Sequence, residues 1–142
     1  MAHEQDPRVF RLTIPSQTKY LNLVTGLAKR ASLEAGLDAP TSSKVAIAVD
    51  ESVTNVIKHA YADAPDWQID IEFRFPLRAL EICIYHDGVA LRQDDLSIPD
   101  ASEYVRHPRK GGLGLLLMSR FMDELSFQTV DGRHRCCMVK YL

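Results

Sequence analysis

Apolar residues recur at helical spacing from Val45 to Tyr61, in a run without Gly or Pro. At ~100° per residue, Asn55 lies roughly 40° from Glu51 and Lys58 about 20° away on the other side. Val45, Val49, Val53, Val56 and Ala60 share the opposite half of the cylinder. The pattern predicts one helix with an apolar back and a polar front that carries a carboxylate, an amide and an amine. Taken alone, such a front is an ordinary solvated surface. Only its neighbours could make it the wall of a site.

The pattern on either side supplies those neighbours. Arg8 to Ile14 roughly alternates and stops at Pro15, which predicts a strand. Ser16 is the expected cap of a helix that carries Tyr20, Leu21, Leu23, Val24, Leu27, Ala28, Ala31 and Leu33 and ends at Gly36. Leu37 to Pro40 is a short connection, and Thr41, Ser42 or Ser43 is expected to cap the central helix. Trp67 to Phe75 alternates with its odd positions apolar. Pro76-Leu77-Arg78 turns the chain, and Leu80, Ile82 and Ile84 continue the alternation to Tyr85-His86-Asp87-Gly88, a hairpin pattern. Residues 89–112 form a long loop with acidic residues, two prolines and a late basic cluster (Arg106, Arg109, Lys110). A loop of this length is more often functional than idle. A helix from Leu113 to Glu124 follows, then strands 125–130 and 135–141 around Asp131-Gly132-Arg133. Strands joined by tight turns are antiparallel neighbours. The expected fold is an α+β two-layer sandwich, a mostly antiparallel sheet with helices on one face, as a single domain over 1–142.

Composition narrows the function classes. The chain has 142 residues, 46% hydrophobic and 25% charged, with a formal net charge of −2. No basic stripe points to nucleic acid. No apolar run reaches the ~18 residues of a membrane span, and Met1 to Asp6 lacks the build of a signal peptide. A cytoplasmic protein without direct nucleic-acid or membrane partners is expected. Cys83, Cys136 and Cys137 show no zinc-type spacing and are expected to be reduced packing residues. Cys136 and Cys137 should point to opposite faces of a strand.

Three features carry candidate chemistry: Glu51 and Asn55 on one helix face, Asp87-Gly88 at a strand end, and Lys110-Gly111-Gly112-Leu113-Gly114-Leu115 entering a helix. Glycines at a helix start let backbone N–H groups approach an anion, and the helix dipole favours it. An Asn oxygen is a hard ligand for Mg2+, which binds few protein groups besides substrate phosphates. A Glu one turn away can orient or deprotonate a hydroxyl. The combination suits Mg-nucleotide binding and phosphoryl transfer, although the P-loop and G-x-G-x-x-G patterns are absent.

In order and spacing these features resemble the GHKL (histidine-kinase-like) ATPases, specifically the short serine-protein kinase anti-sigma factors of bacterial partner switching, the RsbW/SpoIIAB type. Asp50 to Tyr61 matches the first box. Gly111-Gly112-Leu113-Gly114-Leu115, with Met118 and Met122-Asp123-Glu124, matches the second glycine box. The resemblance implies that Asn55 holds Mg2+ against the ATP phosphates. It makes Glu51 the general base or orienter for a serine hydroxyl. Gly112, Gly114 and Leu115 would offer N–H groups to phosphate. Residues 89–110 would be an ATP lid, with Arg109 or Lys110 near the phosphates. Asp87 would accept from the adenine amine, with Gly88 allowing close approach.

That last box departs from the family's Asp-x-Gly. If Gly88 is the box glycine, His86 takes the adenine-reading position; if Asp87 reads, the glycine has shifted by one. Cys136 stands about where the family often has Thr. His59, His86, His107 and His134 fit no metal spacing, and His59 is expected to be structural. No phospho-acceptor helix is seen before the ATP-binding part, so a complete histidine kinase is not expected. The resemblance further implies a STAS-type anti-sigma-factor antagonist as substrate, a sigma factor as a sequestered partner, and a homodimer formed with N-terminal elements. The competing expectation is a binding module of the same fold with little or no kinase activity.

Overall fold

A computed structural model of the protein describes residues 8–91 and 112–142. Strand β1 spans Phe10–Pro15, α1 Leu21–Ala35, α2 Ala39–Asn55, β2 Gln68–Arg74, β3 Ala79–His86, α3 Gly112–Phe121, β4 Glu124–Val130 and β5 Arg133–Tyr141. The strands form one sheet in the order β1-β2-β3-β5-β4, with every neighbouring pair antiparallel. This is the expected two-layer α+β sandwich. Helix α2 packs between α1 and α3, and both α1 and α2 lie on β3.

Register makes the core. Ile14, Ile69, Ile71, Phe73, Leu80, Ile82, Ile84, Cys136 and Met138 are buried in one cluster with Val24, Ala28, Val45, Val49, Val53 and Val56 from the helices. Period-two alternation puts the strand members on one side of the sheet, and 3.6-residue periodicity turns the helical members toward them.

Several ends differ from expectation. Asp38 caps α2, accepting from the Thr41 N–H at 2.8 Å, with proline in the first turn. A carboxylate there also meets the positive end of the helix dipole. Ser16 is no helix cap. It is buried, donates to the Ala64 carbonyl at 2.6 Å and accepts from the Trp67 N–H at 3.1 Å, tying the end of β1 to the segment before β2. A 3-10 turn at Thr18–Tyr20 separates it from α1. Gly36, at φ 107°, closes α1 with bonds back to Leu33 and Ser32, which needs the left-handed region that glycine enters freely. Glu124 begins β4 instead of ending α3.

The cysteine expectation needs correction. Cys83 and Cys137 form a disulfide across β3 and β5, while Cys136 is a buried free thiol. Register is the reason: Cys83 stands directly opposite Cys137, with Cα atoms 4.1 Å apart. Residues 54 positions apart give no such signal in the sequence. Cys136 and Cys137 do turn to opposite faces.

Candidate functional site

The central helix continues past Asn55 as a π turn, Val56–Ala60. Its apolar back is buried as expected. On its front, Glu51 and Asn55 are half-buried, whereas Lys58 and His59 are exposed. Helix α3 lies across this front. A Cβ placed on Gly114 would displace the Glu51 carboxylate, so glycine lets that carboxylate lie against the opening turn of α3. Asn55 Nδ2 lies 3.8 Å from Met118 Sδ, and among the described residues no donor reaches its amide oxygen. Burial and the adjacent Asp50 push the Glu51 carboxyl pKa up, with Lys58 pulling the other way; burial raises Asp50 as well.

Helix α3 starts at Gly112, and its first N–H groups have no partner inside the helix. Leu113 is exposed, Gly114 half-buried and Leu115 buried, so the opening turn runs from the surface into the core beside Glu51. Arg109, Lys110 and Gly111, with most of the expected lid and His107, lie outside the described residues.

The end of β3 forms the other side of the site. His86 is buried at 2% exposure, its ring edge-on to Tyr61 at 5.9 Å and 5.4 Å from that of His134. Its Nδ1 accepts from the Gly88 N–H at 3.3 Å. Burial and the nearby His134 drive its pKa down to about 4, so the ring is neutral near pH 7. Asp87 turns the other way. It accepts from Arg133 Nε at 3.0 Å, and Arg133 Nη1 donates to Asp70 at 2.8 Å on the helix-free face of the sheet. Of the two possible readers in this box, His86 is therefore the one on the helix side.

Gly88 has a steric role that the sequence reading missed. A Cβ there would collide with the Ala60 carbonyl and the Tyr61 ring, and the next residue, Val89, donates to that carbonyl at 2.9 Å. The Tyr61 hydroxyl accepts from the Asp87 N–H at 2.8 Å and donates to the Gln68 carbonyl at 2.7 Å, while its ring stacks on Trp67. The π turn sets Tyr61 where it can do this. Such turns are rare and recur at functional sites, but they have no sequence signature, and Tyr61 and Gly88 are far apart in the chain. Two further positioning contacts escaped the sequence for the same reason: Met118 on Asn55, and Ser52 hydrogen-bonded to Cys136, whose thiol burial pushes up to about 12.

From Glu51 to Ala60 the helix axis advances roughly 13 Å. Glu51, Asn55 and Gly114 mark one end of this span, and His86, Gly88 and Tyr61 mark the other. The Asn55 amide oxygen, which no described donor reaches, is a hard ligand of the kind Mg2+ takes beside substrate phosphates and water, since that ion uses few protein ligands. Among the described residues no three His, Cys, Asp or Glu side chains gather to hold a metal unaided. The residues present thus fit an ion that arrives with a phosphorylated ligand.

Residues 14–140 match the histidine kinase-like ATPase domain family. Serine-protein kinase RsbW of Bacillus velezensis is 30% identical over 135 residues, covering 92% of this chain and 84% of that one. RsbW of Listeria monocytogenes is 29% identical over 139 residues, covering 92% and 85%. In fold, the chain resembles the RsbU and RsbW domains of a Mycobacterium tuberculosis protein (TM-score 0.66, 14% identity, 94% of this chain but 32% of that longer one). It also resembles a chain of the SiaB–SiaC complex of Pseudomonas aeruginosa (TM-score 0.63, 14% identity, 95% and 91%). No helix among the described residues is long and apolar enough to cross a membrane. A five-stranded antiparallel sheet backed by helices, with Glu51 and Asn55 facing a glycine-opened helix, places this chain in the histidine kinase-like ATPase (GHKL) family, among the RsbW-type serine-protein kinases.

Proposed function

We propose that this protein is a cytoplasmic, Mg-ATP-dependent serine/threonine protein kinase that phosphorylates a STAS-type anti-sigma-factor antagonist and sequesters a sigma factor, working as a homodimer. The observation that carries the reading is the packing of the front of α2 on α3, Glu51 against Gly114 in the opening turn and Asn55 against Met118. The family and the relatives named serine-protein kinase support it.

Each residue has a role in this reading. Asn55 offers its free amide oxygen to Mg2+, and the N–H groups of Gly112 to Leu115 face the phosphates. Bound with ATP, the metal neutralises charge on the transferring phosphoryl group. Glu51 orients the incoming serine hydroxyl and takes its proton. Its raised pKa moves it closer to the working pH, as a general base needs. Arg109, Lys110 and Gly111 are assigned to the phosphate end on the family pattern alone.

Phosphate transfer from radiolabelled ATP to a purified antagonist tests the proposal. Transfer by the wild type and a loss of ~100-fold or more in Asn55→Ala are expected, as for removal of one preorganised electrostatic contact. Absence of transfer in the wild type, or full transfer in Asn55→Ala, would sink it. A second reading is a binding module with weak catalysis. It is favoured by the diversion of Asp87 to Arg133, which leaves a neutral imidazole instead of a carboxylate on the helix side. Partner capture by the wild type with no phosphate transfer would select it.

A further inference from the structure

The donors gathered around the Tyr85 hydroxyl belong to the helix-free face of the sheet, away from the proposed nucleotide site. We propose that Arg74, Tyr85 and Arg135 form a second site there, which binds a dianionic oxyanion, a phosphate or phosphate monoester.

Alternation along β2, β3 and β5 turns these three side chains to one face, and register sets Tyr85 directly opposite Arg135. Arg135 Nη1 lies 3.4 Å from the Tyr85 hydroxyl oxygen, and Arg74 Nη2 lies 3.5 Å from it. The Arg133 guanidinium sits over the Tyr85 ring, 5.6 Å from its centroid. All four residues line a cavity of ≈ 430 Å³, large enough for a phosphate that carries a substituent.

Both reaching guanidiniums are anchored through their other nitrogens. Arg74 donates through Nε to Glu72 and through Nη1 to Glu81 at 3.4 Å. Arg135 Nε and Nη2 both donate to Gln128 Oε1, at 3.0 and 2.6 Å. Their ends toward Tyr85 are poorly used. A charged N–H donor reaches a good acceptor at ~2.7–2.9 Å, so 3.4 and 3.5 Å leave both weakly bonded. The Tyr85 hydroxyl accepts from them and donates to nothing among the described residues. Three donors, two of them charged, therefore converge where no strong acceptor stands.

The local charge favours an anion. Four guanidiniums and three carboxylates line the cavity. Glu72 already accepts from Arg11 and Arg74, and Asp70 from Thr13 and Arg133. Asp131 is exposed in the turn before β5. Arg135 alone of the four guanidiniums has no carboxylate partner among the described residues. The excess positive charge thus lies beside Tyr85. Two guanidiniums and a phenol suit a ligand with several oxygens and two charges, which a phosphate supplies and a simple carboxylate does not.

Titration of the isotopically labelled full chain with inorganic phosphate, followed by two-dimensional NMR, tests this. Saturable shifts are expected at the Arg135 Nε–H and at the Tyr85 and Arg135 amides. Arg135→Gln should weaken phosphate binding by about tenfold, the usual scale for a hydrogen bond to a charged group. Tyr85→Phe, which keeps the ring under Arg133, should weaken it by about threefold. Both variants should leave Mg-ATP affinity within about twofold of wild type. Acetate should bind at least about tenfold more weakly than phosphate. O-phosphoserine separates the two sources of the ligand: tighter binding than inorganic phosphate assigns the site to a monoester, and weaker binding to the free ion. Shifts confined to the opening turn of α3, phosphate binding unchanged in both variants, or acetate binding as well as phosphate would each overturn the proposal. If thermal melts show that Arg135→Gln does not fold, Tyr85→Phe and the location of the wild-type shifts decide the matter.

Discussion

His86 ends β3 and Asp87 follows it, yet the first enters the interior beside Tyr61 and the second joins Arg133 on the helix-free face. The two sides of the sheet treat polar groups differently. On the helix-free face they are paired with one another. Glu72 is buried but accepts from both Arg11 and Arg74; Asp70 accepts from Thr13 and Arg133; Arg135 reaches Gln128 and Tyr85. On the helix side, no donor among the described residues reaches the half-buried Asn55 amide oxygen. A surface that satisfies its own polar groups has little left for a nucleotide, whereas half-satisfied groups at the edge of a core mark where one binds. The cavity of ≈ 430 Å³ on the helix-free face, lined by Arg11, Asp70, Glu72, Arg74 and Arg133 among others, is thus a poorer candidate for the nucleotide than the front of α2.

Glu51→Gln should break the helix side most sharply. Phosphate transfer should fall by about 10²–10⁴-fold, the usual range for a general base, with Mg-ATP affinity within about threefold of wild type in a calorimetric titration. Unchanged transfer would reduce Glu51 to a packing partner of Gly114. On the other face, reduction of Cys83–Cys137, or the double change Cys83→Ala and Cys137→Ala, should cost ~2–4 kcal/mol in urea unfolding, because the bridge closes a long loop of the unfolded chain. Nucleotide affinity should stay the same; if it falls with stability, the two faces are not independent.

The next effect is one of pH. Burial lowers the His86 pKa to about 4 from 6.5, so the unfolded chain takes up this proton first as pH falls. Stability from this residue is complete above pH 6.5 and is lost between there and about pH 4, a change of roughly 3 kcal/mol. Urea midpoints for the wild type should fall across that window, and those of His86→Asn should fall less. Equal slopes would show that the imidazole is not buried neutral. Asp70 and Glu72 act at lower pH. Burial pushes both pKa values up, but hydrogen bonds from Thr13 and Arg133, and from Arg11 and Arg74, outweigh it and hold them below their ordinary 3.8 and 4.5. Their contribution persists above the ordinary carboxylate range and is lost as pH falls through the lowered values. Arg133→Ala should therefore cost only ~1 kcal/mol at neutral pH, since the ion pairs are part-exposed. It should lose less again on acidification, a difference thermal melts at pH 7 and pH 3 would read.

Much of this was legible in the chain. Val45, Val49, Val53, Val56 and Ala60 announced a buried helix back by spacing alone, and Ile69, Ile71, Phe73, Leu80, Ile82 and Ile84 announced two strands by alternation. Both patterns are periodic consequences of backbone geometry, so local sequence contains them. Glu51, Asn55 and Gly114 could also be named, because their roles depend on helix positions. Their meeting could not be shown without α3 in place. The cap moved from the Thr41–Ser43 cluster to Asp38, since several polar residues in a row compete for one position and only the folded backbone chooses.

By itself, the sequence determined the two periodicities, the turn residues and the family resemblance. Tertiary structure decided whatever depends on register and on contact between distant segments. A shift of one residue along β3 exchanges faces. That is why only the fold could give His86 to the helix side, Asp87 to Arg133, and Cys83 to Cys137. The polar front of the central helix was a solvated surface in the sequence. The approach of Gly114 to Glu51, and of Gly88 to Ala60, encloses it as the wall of the proposed site.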